Sequence, residues 1–323
     1  MTALDTEVDA LFGRPAAEGI TLAFVIVRHG EIVVERYGIH PGNLFQPDDV
    51  AVGPETPLIS WSTAKSMVHA AVGVLVGDGR LDPTAPAPVP SWTGTPKEAI
   101  TLLDLLEMRP GLRFVESYVE GETSHCLDML FGEGADDQAA YAAAQPLDHP
   151  PGTVWNYSSG TTNIICRVLG DVVGGGEPGE PAMRAFLDQR LFGPAGMPDA
   201  DPRFDPAGTW VGSSYVHAPA RQFARFGELY LNDGVTGGTR ILPAGWVDHA
   251  RTVVAHDPET GFGYGRHWWT WPDQPGSLAA HGYEGQYVVV LPERDAVLVH
   301  LGKTDSAVRD RLVVRLRRII ELL

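Results

Sequence analysis

The stretch Ile59-Ser60-Trp61-Ser62-Thr63-Ala64-Lys65-Ser66-Met67-Val68-His69-Ala70-Ala71-Val72-Gly73-Val74-Leu75-Val76 decides how this chain is read. It predicts a short extended entry running into a long apolar helix, stopped by Gly77-Asp78-Gly79. Ser62 stands at the helix start and Lys65 one turn further on. Residues three apart share a helix face, so the amine can lean over the hydroxyl. A helix start also offers unpaired N–H groups and a positive dipole end. A serine placed there has an amine to take its proton and a backbone N–H for a developing oxyanion. The apolar run behind it would bury the helix and hold the nucleophile on a rigid pillar. The tetrapeptide alone is weak evidence, because a serine N-cap followed by a snorkelling lysine spells the same letters. Its weight depends on where the other chemistry-bearing residues fall.

Composition narrows the field. The chain has 323 residues, 44% of them hydrophobic and 20% charged, which suits a globular protein with a sizeable core. A net charge of −17 argues against nucleic acid or an anionic membrane surface as partner. The two cysteines, Cys126 and Cys166, are in no metal-ligand spacing, and Cys166 lies in an apolar run as a small core filler. Eleven histidines include no HExxH pair, so neither a metal nor a cofactor is expected. Residues 1–12 are acidic and amphipathic, unlike a signal peptide, and no apolar run reaches the length of a membrane span. The expectation is a cytoplasmic protein.

Along the chain, residues 3–13 predict a helix, and 21–38 a hairpin turning at Arg28-His29-Gly30-Glu31. Residues 39–57 read as a loop, and the proline-rich 82–90 as an extended connector. Further helices are expected at 101–108 with Thr101 as cap, 136–145, 162–173 ended by Gly174-Gly175-Gly176, 180–192, 218–232 and 243–250. Residues 197–215 read as loop, 263–271 as strand, 286–292 and 295–301 as a hairpin, and the last 18 residues as an amphipathic helix. Strands at both ends with helices between them predict an α/β (α+β) fold: an antiparallel sheet formed by the N- and C-terminal segments, flanked by helices, with a mostly helical middle. Residues 1–323 are read as one catalytic unit, with a sheet-containing lobe of 1–61 plus 205–323 and a helical lobe of 62–204.

The order Ser62-Thr63-Ala64-Lys65, then Tyr157-Ser158-Ser159, then His281-Gly282-Tyr283-Glu284-Gly285-Gln286 resembles the serine β-lactamase and penicillin-binding-protein superfamily. More narrowly, it resembles the class C-like branch, which includes esterases, D-amino-acid peptidases and 6-aminohexanoate-oligomer hydrolases. The likeness spans nearly the whole chain, including Pro151-Gly152, Ala224-Arg225-Phe226-Gly227 and Ile241-Leu242-Pro243 with Trp246-Val247. It implies a β-lactamase/transpeptidase-like fold with Ser62 as nucleophile and Lys65 and Tyr157 sharing the acid–base work. It also implies the backbone N–H groups of Ser62 and Tyr283 as oxyanion hole, and Ser159, His281 and Gly282 as substrate-binding positions. A phenol alone titrates near pH 10, so Tyr157 needs the Lys65 charge beside it.

Two departures direct the substrate expectation. Ser159 stands where many members have an amide, and no lysine occupies the third motif, where His281 is the only polar candidate. Both losses weaken recognition of a β-lactam. The expectation is an esterase or amidase acting on a small molecule. The alternatives are a true β-lactamase or D,D-peptidase, and a catalytically silent member that only binds a ligand. Gly302-Lys303-Thr304 is read as neither the third motif nor a phosphate loop. Trp268, Trp269 and Trp271 fit a substrate cleft and a core equally well.

Overall fold

The computed structural model describes residues 2–42, 47–119, 121–175 and 179–323. Part of the 39–57 loop and Gly176, the last of the three helix-ending glycines, lie outside them. Helix α1 (Ala3–Phe12) is closed at its start by a capping box between Thr2 and Asp5. Strands β1 (Ile20–Arg28) and β2 (Glu31–Tyr37) form the hairpin, with His29 and Gly30 in the left-handed region at the turn. The helical middle comprises α2 (Ala64–Gly77), α3 (Leu102–Leu106), α4 (His125–Phe131), α5 (Gln138–Ala144), α6 (Ser159–Gly174) and α7 (Glu180–Phe186). Next come α8 (Ala220–Leu231) and α9 (Trp246–Arg251), then six strands: β3 (Ala255–His256), β4 (Gly263–Tyr264), β5 (Trp269–Thr270), β6 (Leu278–Gly282), β7 (Gln286–Leu291) and β8 (Ala296–Lys303). Helix α10 (Arg309–Glu321) ends the chain.

These eight strands make the main sheet in the order β3-β4-β5-β6-β7-β8-β1-β2, antiparallel throughout, and three small sheets of two- and three-residue strands lie outside it, with pieces in the stretches 39–57 and 197–215 expected as loop. The expected joining of the two chain ends is the β1–β8 pairing, with Val25 opposite Val299 and Val27 opposite Val297. Because side chains alternate across a strand, the central strands are apolar on both faces. Phe24, Ile26, Val289 and Leu298 pack with Val8, Leu11, Leu312 and Leu316 of α1 and α10. Val25, Val288, Val297 and Val299 belong to the larger core with α2, α6 and α8. The fold is the mixed α/β arrangement expected, a large antiparallel sheet with helices on it.

Several local expectations are refined. The helix expected at 180–192 is α7 followed by a π-helical stretch, Leu187–Phe192. Helix α4 carries no periodicity strong enough to have been read. The single strand expected over 263–271 is two short strands. The chain reverses between them because Gly265 N–H bonds the Trp268 carbonyl at 2.8 Å and His267 takes φ 58°. That reversal separates the tryptophans. Trp268 and Trp271 are buried in the core, and half-buried Trp269 lines a cleft.

Helix α2 is the pillar, buried from Ala64 to Leu75. Its Gly73 faces the Trp246 indole so closely that a Cβ there would lie 2.6 Å from Cδ1. Trp246 is fixed by donating Nε1–H to the His69 carbonyl at 3.0 Å. Replacing a mid-helix glycine by alanine ordinarily stabilises by about 0.5–1 kcal/mol. Here Gly73→Ala is expected to destabilise by about 1–3 kcal/mol, the usual cost of overpacking. Urea unfolding beside wild type checks the sign.

Two buried histidines predict an acid limit. His300 hydrogen-bonds the Gly285 carbonyl through Nδ1 at 2.6 Å and Thr21 Oγ1 through Nε2 at 3.1 Å. His267 bonds the Leu106 carbonyl at 2.9 Å and Thr162 Oγ1 at 3.0 Å. Burial pushes both imidazoles down to about 3. The folded protein keeps them neutral, while the unfolded chain takes up protons below their ordinary value near 6.5. Their stabilisation is therefore full above pH 6.5 and falls as the pH drops toward 3, each adding a slope of about 1.4 kcal/mol per pH unit. Denaturant midpoints measured from pH 8 to 4 should be flat at first and fall below about 6.5.

Candidate active site

Ser62 lies in a single 3₁₀ turn, Trp61–Thr63, that feeds α2. Trp61 holds φ at 44°, a region costly for a bulky side chain. Its indole N–H donates to Glu284 Oε2 at 2.9 Å, and its ring packs against Tyr215 and Tyr283, each at 5.8 Å between centroids. These contacts hold the turn that presents Ser62 to a cleft of about 640 Å³. On the other side of the turn runs β6. A Cβ on Gly282 would lie 2.6 Å from the Ser60 carbonyl oxygen, so only glycine lets the strand pass this close. The approach brings residue 283, in the turn that follows β6, beside the Trp61–Thr63 turn.

Lys65 is buried and spends its hydrogens on three acceptors. Nζ lies 2.9 Å from Ser62 Oγ, 2.9 Å from Ser159 Oγ and 2.8 Å from the Ser213 carbonyl oxygen. Two of these bonds have a fixed direction. A carbonyl only accepts. Ser159 gives its single proton to Glu116 Oε1 at 2.6 Å, so toward Lys65 it can only accept. A neutral Lys65 would therefore spend both hydrogens on Ser159 and Ser213 and turn its lone pair to Ser62. A charged Lys65 turns its third N–H there. In either state the remaining position of the amine, lone pair or third N–H, faces the Ser62 hydroxyl.

Each partner is itself held. Ser213 N–H donates to Asn163 Oδ1 at 3.1 Å, and Asn163 donates to Gln138 at 2.8 Å. Ser159 opens α6, and Ser158 caps that helix by accepting from Thr161 N–H at 2.9 Å. Tyr157 precedes the cap. The loop carrying it is pinned where Asn156 N–H donates to the Met108 carbonyl and Asn156 Nδ2 to the Phe114 carbonyl, at 2.8 and 2.9 Å. Lys65 Nζ sits 4.9 Å from the Tyr157 ring centroid. Burial raises the Tyr157 phenol above its ordinary value, the Lys65 charge beside it pulls it back, and the Glu116 carboxylate adds to the rise. At neutral pH Tyr157 is a phenol able to donate.

His281 lines the cleft with its ring stacked on Trp269, 5.3 Å between centroids and 9° between planes. Its Nε2 accepts from Trp271 Nε1–H at 2.9 Å, which places the proton of the neutral ring on Nδ1. Burial, then the Arg309 charge, hold this imidazole well below its ordinary value. The structure thus joins Ser62, Lys65 and Ser159 in one hydrogen-bonded network, sets the Tyr157 ring 4.9 Å from the Lys65 amine, and places His281, Gly282 and Tyr283 along the same cleft.

The chain matches the Beta-lactamase family over residues 8–320. It belongs to that family. By sequence this β-lactamase-family hydrolase is 27% identical over 301 residues to the 6-aminohexanoate-dimer hydrolase of Paenarthrobacter ureafaciens, covering 88% of this chain and 73% of the relative. Among solved structures, a Bacillus anthracis protein provisionally described as a 6-aminohexanoate-dimer hydrolase superposes with a TM-score of 0.77 at 22% identity, over 100% of this chain and 83% of that one. A family VIII carboxylesterase superposes with a TM-score of 0.73 at 18% identity, over 98% of both chains. A penicillin-binding protein from Bacillus halodurans gives 0.72 at 15%, over 99% and 100%. The structural likenesses carry the fold.

Glu116 was not read from the sequence. This β-lactamase-family hydrolase places its carboxylate under the network, where it accepts from Ser159 Oγ at 2.6 Å, Ser159 N–H at 2.7 Å and Tyr118 OH at 2.6 Å. By taking the Ser159 proton it fixes Ser159 as an acceptor for Lys65. Glu116→Gln puts an amide N–H₂ against one of these donors and frees Ser159 to turn. Phosphonylation of Ser62 by a fluorophosphonate, with loss of fluoride, is expected to slow at least about tenfold, about 1.4 kcal/mol of transition-state stabilisation. Glu116→Asp should recover part of the rate. Stopped labelling kinetics of the three proteins checks it, and unchanged rates would remove Glu116 from the mechanism.

Proposed function

We propose that the chain is a cofactor-free serine hydrolase that cleaves a small-molecule ester or amide through a Ser62 acyl-enzyme. The observation that carries this reading is the Lys65 amine at 2.9 Å from Ser62 Oγ with its other hydrogens already committed. Ser62 Oγ attacks the acyl carbon while its proton passes to the Lys65 amine. The oxyanion forms against the backbone N–H groups of Ser62 and Tyr283. Collapse breaks the bond to the leaving group, which takes the Tyr157 hydroxyl proton, and the Lys65 ammonium returns its proton to the phenolate. Water then attacks the acyl-enzyme, giving up its proton along the same path, and releases the acid and free Ser62.

Three features support an ester or amide over a β-lactam. Ser159 is engaged by Glu116 and Lys65, the third motif offers a neutral His281 in place of a lysine, and a relative by sequence is named for hydrolysis of a 6-aminohexanoate dimer.

Short-chain p-nitrophenyl esters are expected to turn over, and nitrocefin slowly or not at all. Efficient nitrocefin hydrolysis would restore the β-lactamase reading, and no turnover with no labelling of Ser62 would leave a silent binder. Ser62→Ala should lose labelling, and Tyr157→Phe should slow acylation by about 10²–10⁴-fold, the worth of one positioned acid–base group. Lys65→Arg should be nearly inactive, because arginine keeps the charge but holds its proton. Single-turnover acylation beside melting curves separates these effects from misfolding. A Lys65→Arg protein that acylates at the wild-type rate would make Lys65 a fixed charge only.

A further inference from the structure

We propose that the protein carries a second binding site, away from Ser62, for a small molecule with a compact apolar body and a single ammonium group. The site is a cavity of about 230 Å³ bounded by helices α5 and α6 and the proline-rich connector that precedes α3. None of its lining residues belongs to the Ser62 cleft. Helix α6 meets both. Its first residue, Ser159, accepts from Lys65, and its later turns bring Ile164, Arg167, Val168 and Asp171 to the cavity.

The cavity follows from side-chain length. Helix α5 is mostly alanine, and it lines the cavity with Ala139, Ala140 and Ala143, which stop at Cβ. Buried Ile164 and Val168 of α6 form an apolar floor. Pro88, Val89 and Pro90 form the opposite wall. That wall cannot settle onto the alanines, because it is bonded at both ends. Ala87 N–H donates to the Ile100 carbonyl at 2.8 Å. The Trp92 indole N–H and the Lys97 ammonium both donate to the Ala143 carbonyl, at 3.0 and 2.8 Å. Between these anchors the prolines fix φ. An apolar cavity of roughly 150 Å³ holds a benzene ring. This one has room for a ring with one or two further carbons.

The half-buried rim sets the charge of the ligand. Its ionic residues are Asp137, Arg167 and Asp171. The two carboxylates share one guanidinium. Arg167 donates through Nε to Asp171 Oδ1 at 3.2 Å and stands 3.6 Å from Asp137 Oδ2. Asp137 uses its other oxygen to cap α5, accepting from Ala140 N–H at 3.0 Å. Asp171 Oδ2 has no hydrogen-bond partner among the described residues. The rim therefore holds one negative charge in excess and a free acceptor beside an apolar floor, in a chain of net charge −17. An anion is repelled there. A neutral ligand gains only the apolar contact, whereas an ammonium adds a charge-assisted hydrogen bond to Asp171.

Benzylamine, benzyl alcohol and benzoate test this, because they keep the ring and change the charge. Titration calorimetry on the wild-type protein should give benzylamine a Kd of about 1 mM or tighter. That Kd should be at least tenfold below the one for benzyl alcohol, and benzoate should not bind. Asp171→Asn should bring the amine and alcohol affinities to within threefold of each other. Ala140→Leu extends a side chain into the cavity from an exposed position on α5 and exchanges one good helix former for another. It should weaken benzylamine at least tenfold with the melting temperature close to wild type. Amide chemical-shift mapping on the wild-type protein locates the ligand without any variant. Benzylamine should move resonances of 138–144 and 164–171 and leave those of 281–287 in place. No binding of benzylamine at millimolar concentration, equal wild-type affinities for amine and alcohol, full binding by Ala140→Leu, or shifts confined to 281–287 would each overturn the site.

Discussion

A buried lysine amine needs acceptors, and Lys65 finds three on three different parts of the chain: Ser62 on the 3₁₀ turn before α2, Ser159 at the start of α6 and Ser213 in the segment before α8. Leaving such a group unpaired in the interior would be far more costly than any one of these bonds is favourable. The requirement therefore ties helix α2, helix α6 and the 211–216 segment into one unit. That unit also underlies the proposed chemistry, since the contact to Ser62 is the one of the three whose direction is not fixed.

The surrounding structure protects this geometry at points where a side chain would spoil it. Gly282 lets β6 pass the Ser60 carbonyl, and Gly160 leaves room for Phe114 below the start of α6. Gly227 lets α8 approach Val297 in the sheet. The strained Trp61 turn is held by Glu284, which Lys303 in turn holds at the end of β8. Lys303 belongs to the Gly302-Lys303-Thr304 string, whose part is this support. The cleft is thus bounded by rigid elements on the sheet side and by the pinned 108–116 and 150–157 segments on the helical side.

Much of this was legible from local pattern. The apolar run after Lys65 forced a buried helix, the Val-rich runs at both chain ends forced a two-sided sheet, and Thr101 with Asp104 forms the capping box at the predicted start of α3. The order of the Ser-x-x-Lys, Tyr-x-Ser and His-Gly segments named the residues that the fold gathers. Glu116 was not legible, because its role depends on a contact with Ser159, 43 positions away, and a glutamate in a polar loop carries no periodic signal. Its one local trace is the tyrosine two residues later that shares its oxygen. The split of the tryptophans was hidden for a related reason. A chain reversal at Gly265–Trp268, set by packing against α9, breaks the alternation that would otherwise assign their faces.

The central claim is that Ser62 becomes acylated during turnover. Rapid acid quench of the protein with a slow p-nitrophenyl ester, followed by peptide mass mapping, observes this directly. The account predicts a mass increase equal to one acyl group on the peptide containing Ser62, formed before steady state and lost as the ester is consumed. Steady turnover with that peptide unmodified, or with the acyl group on another residue, would contradict it.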